Sequence, residues 1–161
     1  MMSGQAIQEM YPEDLSHCYG CGRLNEHGYQ LKTHREGDET VTRFTPEPYH
    51  IAIPGYVYGG LIASLMDCHG TGTAAAMKRK EIQDSGGGRT ELVRYVTASL
   101  QVEYLRPAPL GVELEVRGSV VDSGERKMVI TAEVIADGEV CAKGKVVAVR
   151  VTEEYLDRLM K

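Results

Sequence analysis

The chain has no apolar run near the roughly 18–20 residues that a membrane-crossing helix requires. It lacks an excess of positive charge: 18 Lys and Arg stand against 23 Asp and Glu, a net charge of −5. Such a chain does not set up the broad positive field that phosphate backbones attract, which sets nucleic acid aside as a partner. Local Arg or Lys residues still suffice for a small anionic ligand. The first fifteen residues, MMSGQAIQEMYPEDL, have neither a basic stretch nor an apolar core behind it, which argues against an export signal. Cysteine is sparse, at positions 18, 21, 68 and 141. Without export these read as free cytosolic thiols rather than a disulfide framework. Tryptophan is absent and Phe44 is the only phenylalanine, which carries no functional reading. No internal repeat is present.

What remains is the composition of an ordinary globular protein. Apolar residues make up 42% and charged residues 25%, close to the average of folded domains. With 161 residues, one domain spanning 1–161 is expected, with residues 1–29 as an N-terminal segment.

A short helix is expected within residues 1–16, and residues 17–29, HCYGCGRLNEHGY, read as loop. Leu31–His34 and Thr40–Thr45 read as strands joined by a turn at Glu36-Gly37-Asp38. Pro46, Pro48 and Pro54 keep residues 46–57 irregular. From Gly59 to about Lys80, Leu61, Ile62, Leu65, Met66, His69, Thr73 and Met77 recur every three to four residues, the period of a helix facing a core. Its second half, Gly70-Thr71-Gly72-Thr73-Ala74-Ala75-Ala76, is nearly all small residues, which lets a sheet or a partner come close. Strands follow over Val93–Arg106, Val112–Arg117, Lys127–Ile135 and Val140–Val151, and a short helix is expected over Thr152–Lys161. The fold class is α+β: a curved antiparallel sheet wrapped around one long central helix.

Two features on that helix have chemical potential. Asp67 interrupts a helix otherwise expected to be buried, either on an exposed stripe or as a cleft carboxylate serving as base or nucleophile. Tyr58-Gly59-Gly60 marks the helix start, where unpaired amides and the helix dipole favour a developing anion. Eight residues separate Gly59 from Asp67, about 12 Å along a helix, too far for one reacting carbonyl to meet both. A shared site then takes one feature from each of two subunits.

The segment Pro54-Gly55-Tyr56-Val57-Tyr58-Gly59-Gly60-Leu61-Ile62-Ala63-Ser64-Leu65-Met66-Asp67 resembles the signature of hotdog-fold acyl-CoA thioesterases. Val102-Glu103-Tyr104-Leu105-Arg106-Pro107-Ala108-Pro109-Leu110-Gly111 resembles a strand end of that family. Cys18-Tyr19-Gly20-Cys21-Gly22 is similar to a cysteine loop of its PaaI-like subgroup. The resemblance implies Asp67 as the catalytic carboxylate, Gly59 as the amide that binds the thioester oxygen, and Thr97 as a residue positioning water. Tyr58 stands where the family usually has His, and Ala52 near where some members carry Asn. Tyr58, Gly60 and Arg106 are the expected substrate-binding residues, with Arg106 one of several candidates to meet coenzyme A phosphates.

The function so implied is hydrolysis of an acyl- or aryl-CoA thioester by a cytoplasmic homodimer or homotetramer, without a membrane partner. Coenzyme A enters only as part of the substrate, and no cofactor is expected. The alternatives are a non-catalytic acyl-CoA-binding module and a hydratase or dehydratase. Cys18 and Cys21, beside His17, invite a zinc reading. Structural zinc takes four ligands, however, and Cys68 and His69 point about 100° apart on one helix. The expectation is therefore no metal, with His69 a core residue.

Overall fold

Alternation of apolar and polar residues, the signature of half-buried strands, runs further than the sequence windows suggested. In the computed structural model, which describes residues 4–161, the strand expected at Val112–Arg117 begins two residues later and runs six residues further, as the ten-residue β4 (Leu114–Ser123), whose first five residues alternate buried and half-buried. The others are β1 (Thr33–Glu36), β2 (Glu39–Phe44), β3 (Tyr95–Tyr104), β5 (Lys127–Ala136) and β6 (Glu139–Arg150). All pair antiparallel, in the order β1-β2-β4-β5-β6-β3. Tight turns fix the register. Asp137 and Gly138 both take positive φ, so that Ala136 faces Glu139, as a two-residue hairpin demands. Register shifts in β3, β4 and the β5–β6 ladder mark irregularities of the kind that bend a strand.

The sheet wraps the helix α1 (Gly59–Asp84), which touches all six strands. The two halves of α1 solve the packing problem differently. Its first half supplies bulk, with Leu61, Leu65 and Met66 packed on Leu114, Val116 and Val134. Its second half supplies Ala74 and Ala75, and the sheet supplies the bulk there: Tyr95, Met128, Ile130 and Val146. Native packing density is reached in both halves by pairing large with small. Gly70 shows how close the approach is, since a Cβ there would sit 2.6 Å from the Val146 side chain. The small-residue run is thus a seat for the sheet. This is the α+β hotdog architecture expected from the sequence.

Three expectations shift. The helix continues four residues past Lys80 to Asp84, where Lys80 pairs with Asp84 one turn on at 2.6 Å. The N-terminal helix is two short 3-10 turns, Ile7–Met10 and Glu13–Leu15, and residues 1–3 of that expectation lie outside the described residues. The closing helix α2 (Glu153–Leu159) forms, capped by the Thr152 hydroxyl accepting from the Tyr155 amide at 3.2 Å. Among the described residues, no helix is long and apolar enough to cross a membrane.

His69 lies fully buried between α1 and the sheet, as a core residue. Its Nδ1 meets Thr42 Oγ1 at 2.7 Å and its Nε2 meets Thr40 Oγ1 at 3.2 Å. Thr40 continues the network to Thr73 and to the Gly118 carbonyl. With hydroxyls around it and no carboxylate in the network, burial pushes its pKa down from 6.5 to about 3. The folded protein therefore holds it neutral while the unfolded chain protonates near pH 6.5. Between these values the unfolded state binds more protons, so stability falls as pH falls. From pH 7 to 5 His69 should account for a loss of about 2 kcal/mol, at about 1.4 kcal/mol per pH unit below 6.5. Denaturant unfolding of wild type and His69→Gln at the two pH values should show a flatter pH dependence in the variant. Equal slopes would place the His69 proton elsewhere.

Candidate active site

Asp67 lies on the less buried side of α1 with Gly60, Ala63 and Ser64, and is half-buried while Leu65, Met66, Cys68 and His69 are buried. Its Oδ1 accepts a hydrogen bond from the Thr97 hydroxyl on β3. Thr97 sits where the β3–β6 register slips, between Thr97 and Ser99. A bulge re-aims side chains at such points, and here a hydroxyl reaches the helix. Thr97, which the resemblance named as positioning water, thus meets the Asp67 carboxylate directly. The carboxylate is fixed by one donor and open on its other oxygen.

The helix start is built from a separate set of contacts. Tyr58 occupies the N-cap without a capping side-chain hydrogen bond, and its carbonyl accepts from the Leu61 amide at 3.0 Å. Gly59 and Gly60 are the first two helical residues, whose amides have no carbonyl one turn back to bond. The Tyr104 hydroxyl donates to the Gly59 carbonyl at 2.7 Å, tying the end of β3 to the helix start. Tyr104 is a contact that the sequence gave no reason to single out beyond the resemblance of its strand end. The Tyr58 ring lies over Gly60, so closely that a Cβ on Gly60 would come within 2.3 Å of it. Val57, Gly59, Ile62, Tyr104, Arg106 and Cys141 line a cleft of about 290 Å³ at this end.

The expected substrate-binding residues divide. Tyr58, Gly60 and Arg106 gather around the helix start, eight residues from Asp67. Arg106 is exposed and pairs with Glu139. Arg79, in the basic run Lys78-Arg79-Lys80 near the end of α1, is not a surface charge. It is buried, and donates to the carbonyls of Arg89 and Glu91 at 3.3 and 2.8 Å, holding the segment after α1 against the helix. His50 is local, its Nδ1 accepting from the Glu47 amide at 2.8 Å.

The cysteines converge as the sequence did not anticipate. Cys68 and His69 do point apart on the helix, but only His69 faces the sheet. Cys68 turns toward the N-terminal loop, its Sγ 3.9 Å from that of Cys18, and the Sγ atoms of Cys18, Cys21 and Cys68 all lie within 4.8 Å of one another. Gly20 allows this, since a Cβ there would fall 2.2 Å from Cys68 Sγ. Hydrogen bonds from Cys21 and Cys68 hold the Cys18 thiol well below its usual pKa, and those bonds push Cys21 up to about 11 and Cys68 higher still. The expectation of no metal had been drawn for want of a second pair of ligands, since Cys68 and His69 could not both face the first; a third thiol, that of Cys68, nonetheless meets the pair.

A curved antiparallel sheet around one helix, with a carboxylate inside and glycines at the helix start, defines the hotdog class. The thioesterase superfamily model matches residues 54–149, more than half of the chain, which belongs to that family. A thioesterase superfamily protein from Shewanella loihica PV-4 is 42% identical over 80% of this chain and 96% of its own, with a TM-score of 0.64. The fold is shared with the E. coli PaaI protein from the phenylacetic acid degradation operon (16% identity, 77% and 81% coverage, TM-score 0.56). It is shared as well with a Streptococcus mutans UA159 protein whose structure holds acetyl CoA (17% identity, 75% and 88% coverage, TM-score 0.54). Among curated proteins, none matches this chain.

The Asp67–Thr97 bond generates a direct test. Thr97→Val keeps the shape and removes the donor. A hydrogen bond to a charged group is worth about 1.5–3 kcal/mol, so if the carboxylate carries turnover, kcat for a thioester should fall roughly 10- to 100-fold. KM and the thermal midpoint should change little, and Thr97→Ser should restore most of the rate. A fully active valine variant would remove Thr97 from the site.

Proposed function

We propose that this chain hydrolyses an acyl- or aryl-CoA thioester to a carboxylate and free coenzyme A in a site shared between two subunits. The observation that carries this reading is Asp67, oriented by Thr97 on a helix that is largely taken up by the core. Asp67 acts on the thioester carbonyl carbon, either by attacking it or by taking a proton from an attacking water. The carbonyl oxygen, as it gains negative charge, is met by the Gly59 amide of the partner subunit at the positive end of its helix. Collapse of the tetrahedral species expels the coenzyme A thiolate, which is protonated on leaving; on the route of direct attack, water then cleaves the Asp67 mixed anhydride, releasing the carboxylate and restoring the side chain. In this scheme the carboxylate and the amide do the chemistry without a cofactor.

Tyr58, exposed at the cleft rim, offers a phenolic donor, and Arg106 a charge toward the coenzyme A phosphates. Exposed Tyr49, Ile51 and Ile53, in the irregular segment before the helix, offer apolar surface to the acyl group. Four free cysteines suit a cytoplasmic setting. A hydratase would need a second acid or base at the carboxylate. The nearest histidine in sequence, His69, is bound to Thr40 and Thr42 in the core and does not serve.

The dimer has its own support. β3 ends the sheet, with one side of its ladder unpaired, and Val96, Leu100 and Tyr104 are exposed along it. A long edge strand bearing apolar side chains invites pairing with another strand, here β3 of a second copy. That pairing brings the Asp67–Thr97 corner of one subunit toward the helix start of the other. Sedimentation should find a dimer or larger assembly, and Leu100→Glu should yield a folded monomer at least a hundredfold less active. A wild-type monomer with full activity would overturn the shared site.

The reaction itself is tested by trapping released thiol across a panel of acyl-CoAs, with Asp67→Asn as the paired variant. Asparagine keeps the size and removes the charge and the proton affinity. Loss of a general base costs about 100–10,000-fold in kcat, while the thermal midpoint should hold or rise. Tight coenzyme A binding without turnover in the wild type would identify a binding module instead. An Asp67→Asn protein with normal turnover would remove Asp67 from the chemistry.

A further inference from the structure

Three thiols from two distant parts of the chain meet in one place, and the hydrolysis just described uses none of them. We infer that Cys18, Cys21 and Cys68 form a binding site for a single thiophilic cation of the Zn²⁺ type, clasping the N-terminal loop to the central helix.

The geometry fits the ion. Zinc–sulfur bonds of about 2.3 Å in a tetrahedron set sulfur atoms about 3.8 Å apart. Cys18 and Cys68 are already 3.9 Å apart and all three sulfurs lie within 4.8 Å, so side-chain movement of no more than about 1 Å completes three corners. A disulfide needs sulfurs at about 2.05 Å, a far larger displacement for any pair that also excludes the third cysteine. The backbone is shaped for the same purpose. Cys18-Tyr19-Gly20-Cys21-Gly22 closes a tight turn through a Gly22 amide to Cys18 carbonyl bond of 2.7 Å. Gly22 has no room for a side chain, since a Cβ would lie 2.5–2.6 Å from backbone atoms of Cys18 and Ser16.

The charge is also met. Three thiolates around a divalent cation leave one negative charge, and the Arg94 guanidinium, stacked 4.6 Å over the Tyr11 ring, acts on Cys21 from nearby. Buried sulfur ligands select soft or borderline cations over Mg²⁺ or Ca²⁺. Cys18 is half-exposed, so the fourth position faces solvent and takes water. Binding expels the thiol protons, making affinity rise with pH. Because Cys68 follows Asp67 directly on α1, the cation also fixes the helix beside the carboxylate.

The test is metal binding itself, read on the full chain purified under reducing conditions. Zn²⁺ titrated against a chromogenic chelator should bind at one ion per chain and raise the thermal midpoint. Co²⁺ in its place should give the visible bands of a tetrahedral site and near-ultraviolet thiolate-to-metal charge transfer. Cys68→Ser and Cys18→Ser should each weaken Zn²⁺ binding at least a hundredfold and abolish the charge-transfer band. Cys141→Ser, a buried cysteine outside the cluster, should leave both unchanged, and circular dichroism of the metal-free variants shows whether they fold. Failure to reach one Zn²⁺ per chain, or binding that survives in folded Cys68→Ser, would overturn the inference. So would a Cys18–Cys21 disulfide forming in air while reduced protein ignores Zn²⁺.

Discussion

The central helix is enclosed by a bent sheet over most of its girth, and that constraint organises the rest of the protein. A helix on a flat sheet buries one stripe and leaves the other to water. Here the sheet bends around α1, so that Leu61, Leu65, Met66, Cys68, His69, Gly70, Thr73 and Ala74 are all buried, although they point in many directions. The exposed stripe shrinks to the half-buried Gly60, Ala63, Ser64 and Asp67, and what distinguishes positions is the nature of their neighbour: sheet, N-terminal segment or open cleft. Asp67 belongs to the last group. Its carboxylate is tolerable because Thr97 satisfies one oxygen and the other meets the outside.

Polar groups under the sheet are handled by the same logic. His69, Thr40, Thr42, Thr73, Thr33 and Gln8 form one chain of hydrogen bonds from helix to sheet to N-terminal turn. Every step has a partner, which is the condition for a buried network to specify structure rather than weaken it. Gln8 bonds Thr33 twice, through its side-chain amide to the hydroxyl and through its carbonyl to the backbone N–H. The N-terminal segment is thereby part of the core and not an appendage.

What the sequence made legible follows period and local chemistry. Strand alternation, hairpin turns and the apolar spacing of α1 are properties of neighbours a few residues apart. They predicted element type and order, with errors at the ends. The helix outran its apolar pattern because its last turn is held by Lys78–Glu81 and Lys80–Asp84 pairs on its surface. The Gly59–Asp67 spacing was equally legible, since helix rise is a constant. Arg79 was not, because its ligands are carbonyls ten and twelve residues on, in a loop whose path no local rule gives. Cys68 was missed for a related reason. Judging it with His69 as a pair was right about the angle between them, but a cluster needs only one of the two.

Asp67, Cys68 and His69 make the point at its smallest scale. Successive helix residues are turned by about 100°, so three in a row face three surroundings. Asp67 meets the β3 edge and the open side, Cys68 the loop with Cys18 and Cys21, and His69 the threonines under the sheet. Each contact resists rotation of the helix about its axis in a different direction. Together they fix the angle at which the carboxylate is presented, which no single hydrogen bond to a half-buried side chain would do. A carboxylate proposed to meet a group from another subunit needs that precision of aim more than it needs rigidity of its own side chain. On that proposal the cluster and the buried histidine network, neither of which touches a thioester, serve the same function as the residue between them and the cleft.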